Sequence, residues 1–222
     1  MFFNPFAILL FLLLFLGLIF LFALVHVGLM TIAFEKIGFG PGQVFFFLLA
    51  SLIGSGMNIP VKRIRHQADS FPDQVTLWGI KYRIPTGISH QTVIAVNVGG
   101  ALIPMAVSIY LMFKWQLFFQ PLLGILAVSA ITYHLARPIP GLGIALPLFI
   151  PPLLAALVSL LISTTDLSPV IAYISGTIGT LVGADILHYK DIGQLNTPVA
   201  SIGGAGTFDG IFLTGIIAVL LA

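Results

Sequence analysis

The sequence predicts an all-α polytopic membrane protein of about seven transmembrane helices, folded as a single transmembrane domain over residues 1–222. Three observations predict it. Hydrophobic residues make up 59% of the chain and charged residues only 7%, against about 25% charged in a soluble domain. A water-soluble fold of this length lacks the charge to cover its surface, so lipid is the expected solvent. Seven stretches also approach the roughly 20 apolar residues that a span needs, and the breaks between them hold all the charge except Asp185 and Asp209.

The first span, 6–34, is apolar except for His26 and Thr31. It exceeds a signal-peptide core and lacks a basic leader and a small-residue cleavage pattern, so it reads as a retained helix. The second, 42–60, closes on Gly56-Met57-Asn58-Ile59-Pro60. Residues 61–90 then form the one sizeable aqueous segment. Within it, Val75 to Ile84 partly alternates around Gly79 and reads either as a small β-hairpin or as a basic loop touching anionic headgroups. The third and fourth spans are 92–113 and 117–135. The fifth, 141–162, opens on the proline-rich run Arg137 to Pro147 and contains Pro151-Pro152. Proline removes backbone hydrogen bonds, so helix 5 is expected to be broken, or else to follow a long proline-rich loop. The sixth and seventh are 169–189 and 199–221.

Orientation follows the basic residues. With 61–90 cytoplasmic, Lys62, Arg63, Arg65, Lys81, Arg83, Arg137 and Lys190 lie inside, and only Lys36 and Lys114 lie outside. The N-terminus is then inside and the C-terminus outside. Trp115 and Tyr189 sit near span ends, where amphipathic rings prefer the interface.

A charge within a span is costly and marks a site. Asp185 lies about 6 Å inside the cytoplasmic end of helix 6, by the helical rise. Asp209 follows the glycine-rich run Gly203-Gly204-Ala205-Gly206. Three glycines in four residues make a poor helix. If the run is unwound, helix 7 begins near Thr207, and Asp209 sits in its first turn, where the dipole favours negative charge. Unwound backbone at membrane depth must be buried in protein or line a watery cavity. The run therefore predicts a pocket beside Asp209, shared with Asp185 if helices 6 and 7 are neighbours. Otherwise, Asp209 is only a helix-start residue and Asp185 is merely wetted at the interface. Asp185, Asp209 and His188 are the candidate ligands should a metal be held. His26, His90 and His134 read as interfacial or packed.

Two asparagines extend the pattern. Gly56-Met57-Asn58 matches Gly183-Ala184-Asp185, and Val98-Gly99-Gly100-Ala101 matches Ile202-Gly203-Gly204-Ala205. The matches suggest two parallel three-helix halves joined by helix 4, although close packing in membranes also selects glycine. On this reading Asn58, Asn97, Gly203, Gly204, Gly206 and Pro147 are candidate substrate-binding residues around the acidic pair.

The motifs from Val96 to Pro104 and from Gly203 to Phe212 resemble an uncharacterised family of bacterial and archaeal multi-pass membrane proteins. The resemblance covers most of the chain and implies a plasma-membrane location but no activity. A second, weaker resemblance is to intramembrane aspartyl proteases of the presenilin and prepilin-peptidase superfamily. These carry one aspartate on each of two helices, one of them in Gly-x-Gly-Asp. Here Gly204-Ala205-Gly206 precedes Asp209 with two extra residues, and Ala145-Leu146-Pro147 matches part of Pro-Ala-Leu but comes before both aspartates.

The absence of cysteine excludes disulfides and thiolate metal sites, and a net charge of +2 gives no basis for nucleic-acid binding. No cofactor is expected. Three functions remain. One is an aspartyl-type hydrolase, in which two close carboxylates share a proton and act as base and acid on a membrane-embedded peptide. Another is a small proton- or cation-coupled transporter or channel. The third is a scaffold with no pocket.

Overall fold

The computed structural model describes residues 5–65, 74–77, 80–83, 91–139, 143–163, 166–191, 195, 197–204 and 210–222. Among them are seven α-helices: α1 (Pro5–Lys36), α2 (Pro41–Ser55), α3 (Ile103–Lys114), α4 (Phe119–Leu135), α5 (Ile150–Ile162), α6 (Ser168–Thr180) and α7 (Gly210–Leu221). A π-helical turn, Val98–Leu102, leads into α3, and a second, Leu181–Ile186, continues α6. Seven short strands accompany them: β1 (Asn58–Arg65), β2 (Gln74–Leu77), β3 (Ile80–Arg83), β4 (Gln91–Asn97), β5 (Arg137–Ile139), β6 (Gly143–Ala145) and β7 (Val199–Ile202).

Helix starts follow local chemistry. Pro41, Pro104, Pro151 and Pro169 stand in first turns, where a missing N–H costs nothing and φ is preset. The helices run alternately up and down. At one end, Lys36 Nζ donates to the carbonyls of Val219 and Leu220, both at 3.4 Å. Trp115 Nε1 donates to Ile37 O at 3.2 Å, and Ser168 Oγ to Ala222 O at 3.3 Å. These contacts gather the ends of α1, α3 and α7 and the start of α6. The sheet lies at the opposite end.

α6 is the axis of the bundle. Its residues from Val170 to Thr177 are all buried. Small residues let the neighbours close in: Gly176 faces Ala155 of α5 and Thr214 of α7, and Gly179 abuts Val128 of α4. Ser129 Oγ of α4 donates across to Gly179 O at 3.1 Å. Small residues at such contacts let helix backbones approach closely.

The principal sheet has the order β1-β4-β7. β1 pairs antiparallel with β4, from Asn58↔Asn97 to Arg65↔Gln91, with an irregularity between Pro60 and Lys62. β4 pairs parallel with β7, from Val93↔Val199 to Val96↔Ile202. Both β4 and β7 lead through glycine pairs towards a helix. At those pairs the backbones touch. A Cβ on Gly100 would overlap the carbonyl of Gly203, and a Cβ on Gly203 would stand 2.5 Å from that of Ala101.

Several expectations need correction. The chain is mostly helical but not all-α. Apolar runs taken as helix at 42–60, 92–113 and 199–221 end or begin as strands, because Ile59, Val61, Thr92–Val96 and Val199–Ile202 are largely β-branched. The proline run before helix 5 forms the β5–β6 hairpin, and α5 itself is continuous. Helix 5 is therefore not broken, because Pro151 and Pro152 fall in its first turn. Of the two readings of the segment 61–90, the hairpin is present: β2 and β3 pair from Gln74↔Arg83 to Leu77↔Ile80. Among the described residues two helices, 12–36 and 168–186, are long and apolar enough to cross a membrane; the other apolar helices run 10–17 residues. Seven crossings are thus not established by helix length. Thr207, the expected cap of helix 7, and His90 lie outside the described residues.

Gly203→Ala should lower stability by at least about 2 kcal/mol. The left-handed φ of +85° costs an alanine roughly 1–2 kcal/mol, and the collision with Ala101 adds about 1–3 kcal/mol. Gly17→Ala, with nothing within 4 Å, should be neutral or slightly stabilising. Equilibrium unfolding of the purified variants in detergent checks both.

Candidate functional site

β4 ends where its backbone turns into the π-helical turn, and Asn97 sits at that corner, 1% exposed. Its Oδ1 accepts from Gly100 N at 2.7 Å, capping the turn. Its Nδ2 donates to Ser55 O at 2.7 Å and to Asn58 Oδ1 at 3.2 Å. Asn58 Oδ1 also receives the Ser201 hydroxyl at 2.6 Å. One buried amide thereby ties the end of α2 and the start of β1 to the start of α3, and reaches β7 through Asn58.

Asp185 stands in the π-helical turn after α6, half-buried. Its Oδ2 accepts from Gly203 N at 2.7 Å. Gly203 and Gly204 have φ of +85° and +90°, a conformation that glycine adopts without strain. The corner therefore turns as soon as β7 ends, and its first N–H meets the carboxylate.

A cavity of about 260 Å³ lies against this corner. Among the described residues its polar side chains are Thr180, Asp185, Thr197, Ser201 and Thr214. Its apolar wall includes Ile144, Leu146, Pro147, Leu148 and Ile211. Gly204 and Gly210 also line it. Thr180 Oγ1 and Thr197 Oγ1 are fully buried without a hydrogen-bond partner, a state that costs about 1–3 kcal/mol for each group.

Of the residues singled out in the sequence, Asp185, Gly204 and Pro147 line this cavity. Gly203, Asn58 and Asn97 stand behind it, joined to the lining residues Asp185 and Ser201 by the hydrogen bonds above. Asp209 and Gly206 lie outside the described residues. His188 is buried but does not line the cavity. Its Nδ1 is 3.2 Å from Gly183 O, and its ring packs 4.7 Å from that of Tyr133. Among the described residues no group of three or more His, Cys, Asp and Glu is placed to hold a metal ion. His26 bonds its own helix at Phe22 O, 2.8 Å away. The hydroxyls of Thr180, Thr197, Ser201 and Thr214 were not predicted, because threonine and serine in apolar runs ordinarily bond the preceding turn, as Ser108 does here with Pro104 O.

A carboxylate accepts hydrogen bonds only, whereas hydroxyls both donate and accept. The cavity can thus receive N–H or O–H donors or a hard cation, against a wall suited to an apolar body.

The sequence model of a family described as a protein of unknown function (DUF1614) matches residues 52–221. The match begins near the end of α2 and runs through α7. No curated protein and no solved structure matches the chain, and the resemblance to intramembrane aspartyl proteases gains no support from these comparisons.

Asn97→Ala should cost about 2–4 kcal/mol, through loss of a cap worth about 1 kcal/mol and of partners for buried groups at about 1–3 kcal/mol. Asp185→Asn should cost only about 1 kcal/mol, because an amide oxygen can still accept from Gly203 N while the charge assistance is lost. Chemical denaturation of the two variants, followed by tryptophan fluorescence, gives the ordering.

Proposed function

We propose a function for a chain that belongs to the DUF1614 family of proteins of unknown function. It is a multi-pass protein of the cell membrane that binds a small polar solute in the Asp185 cavity and carries it across the bilayer. The observation that carries this reading is the cavity itself, with a carboxylate and four hydroxyl side chains in its lining, set where α6 gives way to a π-helical turn and β7 to a left-handed glycine corner. Solute sites of membrane transporters are built at such interruptions, where irregular backbone meets a cavity.

Depth supports it. α7 has 12 residues, about 18 Å of rise, measured from the end where Ala222 meets Ser168. The hydrocarbon core is about 30 Å thick. Gly210 and Thr180 would then lie inside the core, with Asp185 nearer the far interface. The multi-pass reading is supported by large exposed apolar side chains on α1, α4 and α5, among them Phe22, Leu126 and Leu157. Charge supports the orientation: Lys36 and Lys114 cluster at one end of the bundle, while exposed Lys62, Arg63, Arg137 and Lys190 lie at the other, which would face the cytoplasm. Parallel β4 and β7, each leading towards a helix, suit two parallel halves. Their register sets Val96 beside Ile202, two residues out of step with the motif match, so any duplication has since slipped.

The two-carboxylate hydrolase is the second reading, favoured because Gly210 lines the cavity and follows Asp209 in sequence. A scaffold needs no such chamber.

The chain has no cysteine, so single cysteines report topology cleanly. Asp166→Cys should react with a membrane-impermeant maleimide from one side only, and Arg63→Cys and Lys190→Cys only from the other. Labelling of all three from one side refutes the crossing of α6. For function, light-scattering assays on proteoliposomes with small amines, polyols and amino acids should reveal at least one solute that enters faster than into empty vesicles. Asp185→Asn should slow that entry at least tenfold. No acceleration across the panel sinks transport, and peptide cleavage lost in both Asp185→Asn and Asp209→Asn establishes the hydrolase.

A further inference from the structure

We infer that the sheet end of the bundle binds an anionic phospholipid, its phosphate held by Lys62, Arg137 and Lys190. This rests on the membrane reading above and is independent of what the Asp185 cavity takes.

Three segments far apart in sequence make the same step at this end. On β1, exposed Ile59 and Val61 give way to exposed Lys62. On α4, exposed Ile131 and Tyr133 give way to exposed Arg137 just beyond the helix. After α6, exposed Ile186 and Leu187 give way to Tyr189 and Lys190. A step from apolar to basic side chains, with tyrosine at the boundary, is what the edge of a bilayer selects. Side-chain contacts gather the three steps. Lys62 Nζ stands 5.6 Å from the centre of the Tyr189 ring. The ring of the neighbouring His188 packs 4.7 Å from that of Tyr133, which lies about one helical turn before Arg137.

The cations at the two ends of the bundle are used differently. At the far end, Lys36 Nζ donates to Val219 O and Leu220 O, and Lys114 Nζ donates to Gly38 O. Those ammonium groups serve the protein's own backbone. Among the described residues, Lys62, Arg137 and Lys190 make no hydrogen bond or ion pair, so their N–H donors remain for an outside acceptor. A phosphodiester supplies one, since its oxygens form charge-assisted bonds with lysine and arginine. A soluble phosphate would engage the cations alone. A lipid would also lay its acyl chains over Val61, Ile186 and Leu187, which are exposed beside them. The leaflet facing the cytoplasm carries the anionic headgroups that attract such clusters.

The test is calorimetric titration of the full chain in dodecyl maltoside with dihexanoyl-phosphatidylglycerol, kept below its own micelle concentration. Dihexanoyl-phosphatidylcholine and glycerol phosphate serve as comparison ligands. Saturable binding of the phosphatidylglycerol is expected, at least tenfold tighter than that of either comparison. Lys62→Gln, Arg137→Gln and Lys190→Gln should each weaken it roughly fivefold, the effect of one basic residue near an anionic surface. Lys62→Arg should keep the affinity, and Lys114→Gln at the far end should leave it unchanged. Equal binding of the phosphatidylcholine overturns the inference, because charge would then not be recognised. Equal binding of glycerol phosphate overturns it in favour of a soluble ligand, and an equal loss in Lys114→Gln overturns it in favour of diffuse attraction. Variants that unfold more easily without any change in lipid preference also overturn it, since the cations would then only complement the helix dipole at the ends of α4 and α6. If the cysteine labelling shows that α6 crosses and no lipid is preferred, the inference fails and the membrane reading stands. If all three cysteines label from one side, both fail.

Discussion

Gly100 and Gly203 lie where two backbones press against each other with no side chain between them. A methyl group at either position would collide with the main chain of the other segment. This approach brings the turn after β4 against the corner after β7, where the two strands pair in parallel. The hydrogen bonds of the corner follow from it. Gly203 can present its N–H to Asp185 because its φ of +85° turns the chain at once, and Ser201, two residues earlier, reaches Asn58. Asn97 closes the arrangement from the other strand, and its amide satisfies groups on three segments. A buried amide with all its partners in place specifies one arrangement, since any displacement leaves polar groups unpaired.

The helices supply a different constraint. α6 is enclosed by α3, α4, α5 and α7 and meets them through small residues and hydroxyls. Where the packing is tight, as at Gly179 against Val128, there is no room for a ligand. Where α6 gives way to its π-helical turn, Thr180 and Asp185 line the cavity together with Pro151 of α5 and Gly210, Ile211 and Thr214 of α7.

Composition and surface agree in being apolar. A chain with 7% charged residues places its cations at the two ends of the bundle and leaves large apolar side chains exposed along the helix flanks. The Asp185 cavity sets a carboxylate and hydroxyls opposite an apolar wall.

Residue type alone determined much of this. Low charge and long apolar runs imply a lipid-embedded helical chain. The isolated Asp185, the corner-forming Asn97 and Asn58 and the Gly203-Gly204 pair each stand out as polar or flexible residues in apolar surroundings, and the structure brings these residues to one end of the bundle. The hairpin Gln74–Leu77 with Ile80–Arg83 was one of the two readings that partial alternation about Gly79 left open. Other features were not legible. Hydropathy is blind to whether Val93–Val96 or Val199–Ile202 form helix or strand, because what decides it is a partner strand about a hundred residues away. The role of Thr180, Thr197, Ser201 and Thr214 was hidden as well, since a hydroxyl's partners depend on what stands opposite it. Pro151 and Pro152 looked like a break and proved to be a helix start, a distinction that depends on where the preceding hairpin ends. The inventory of polar groups is a property of single residues, and it was readable; strand pairing, helix length and the shape of the cavity are relations between distant residues, and only the folded chain decides them.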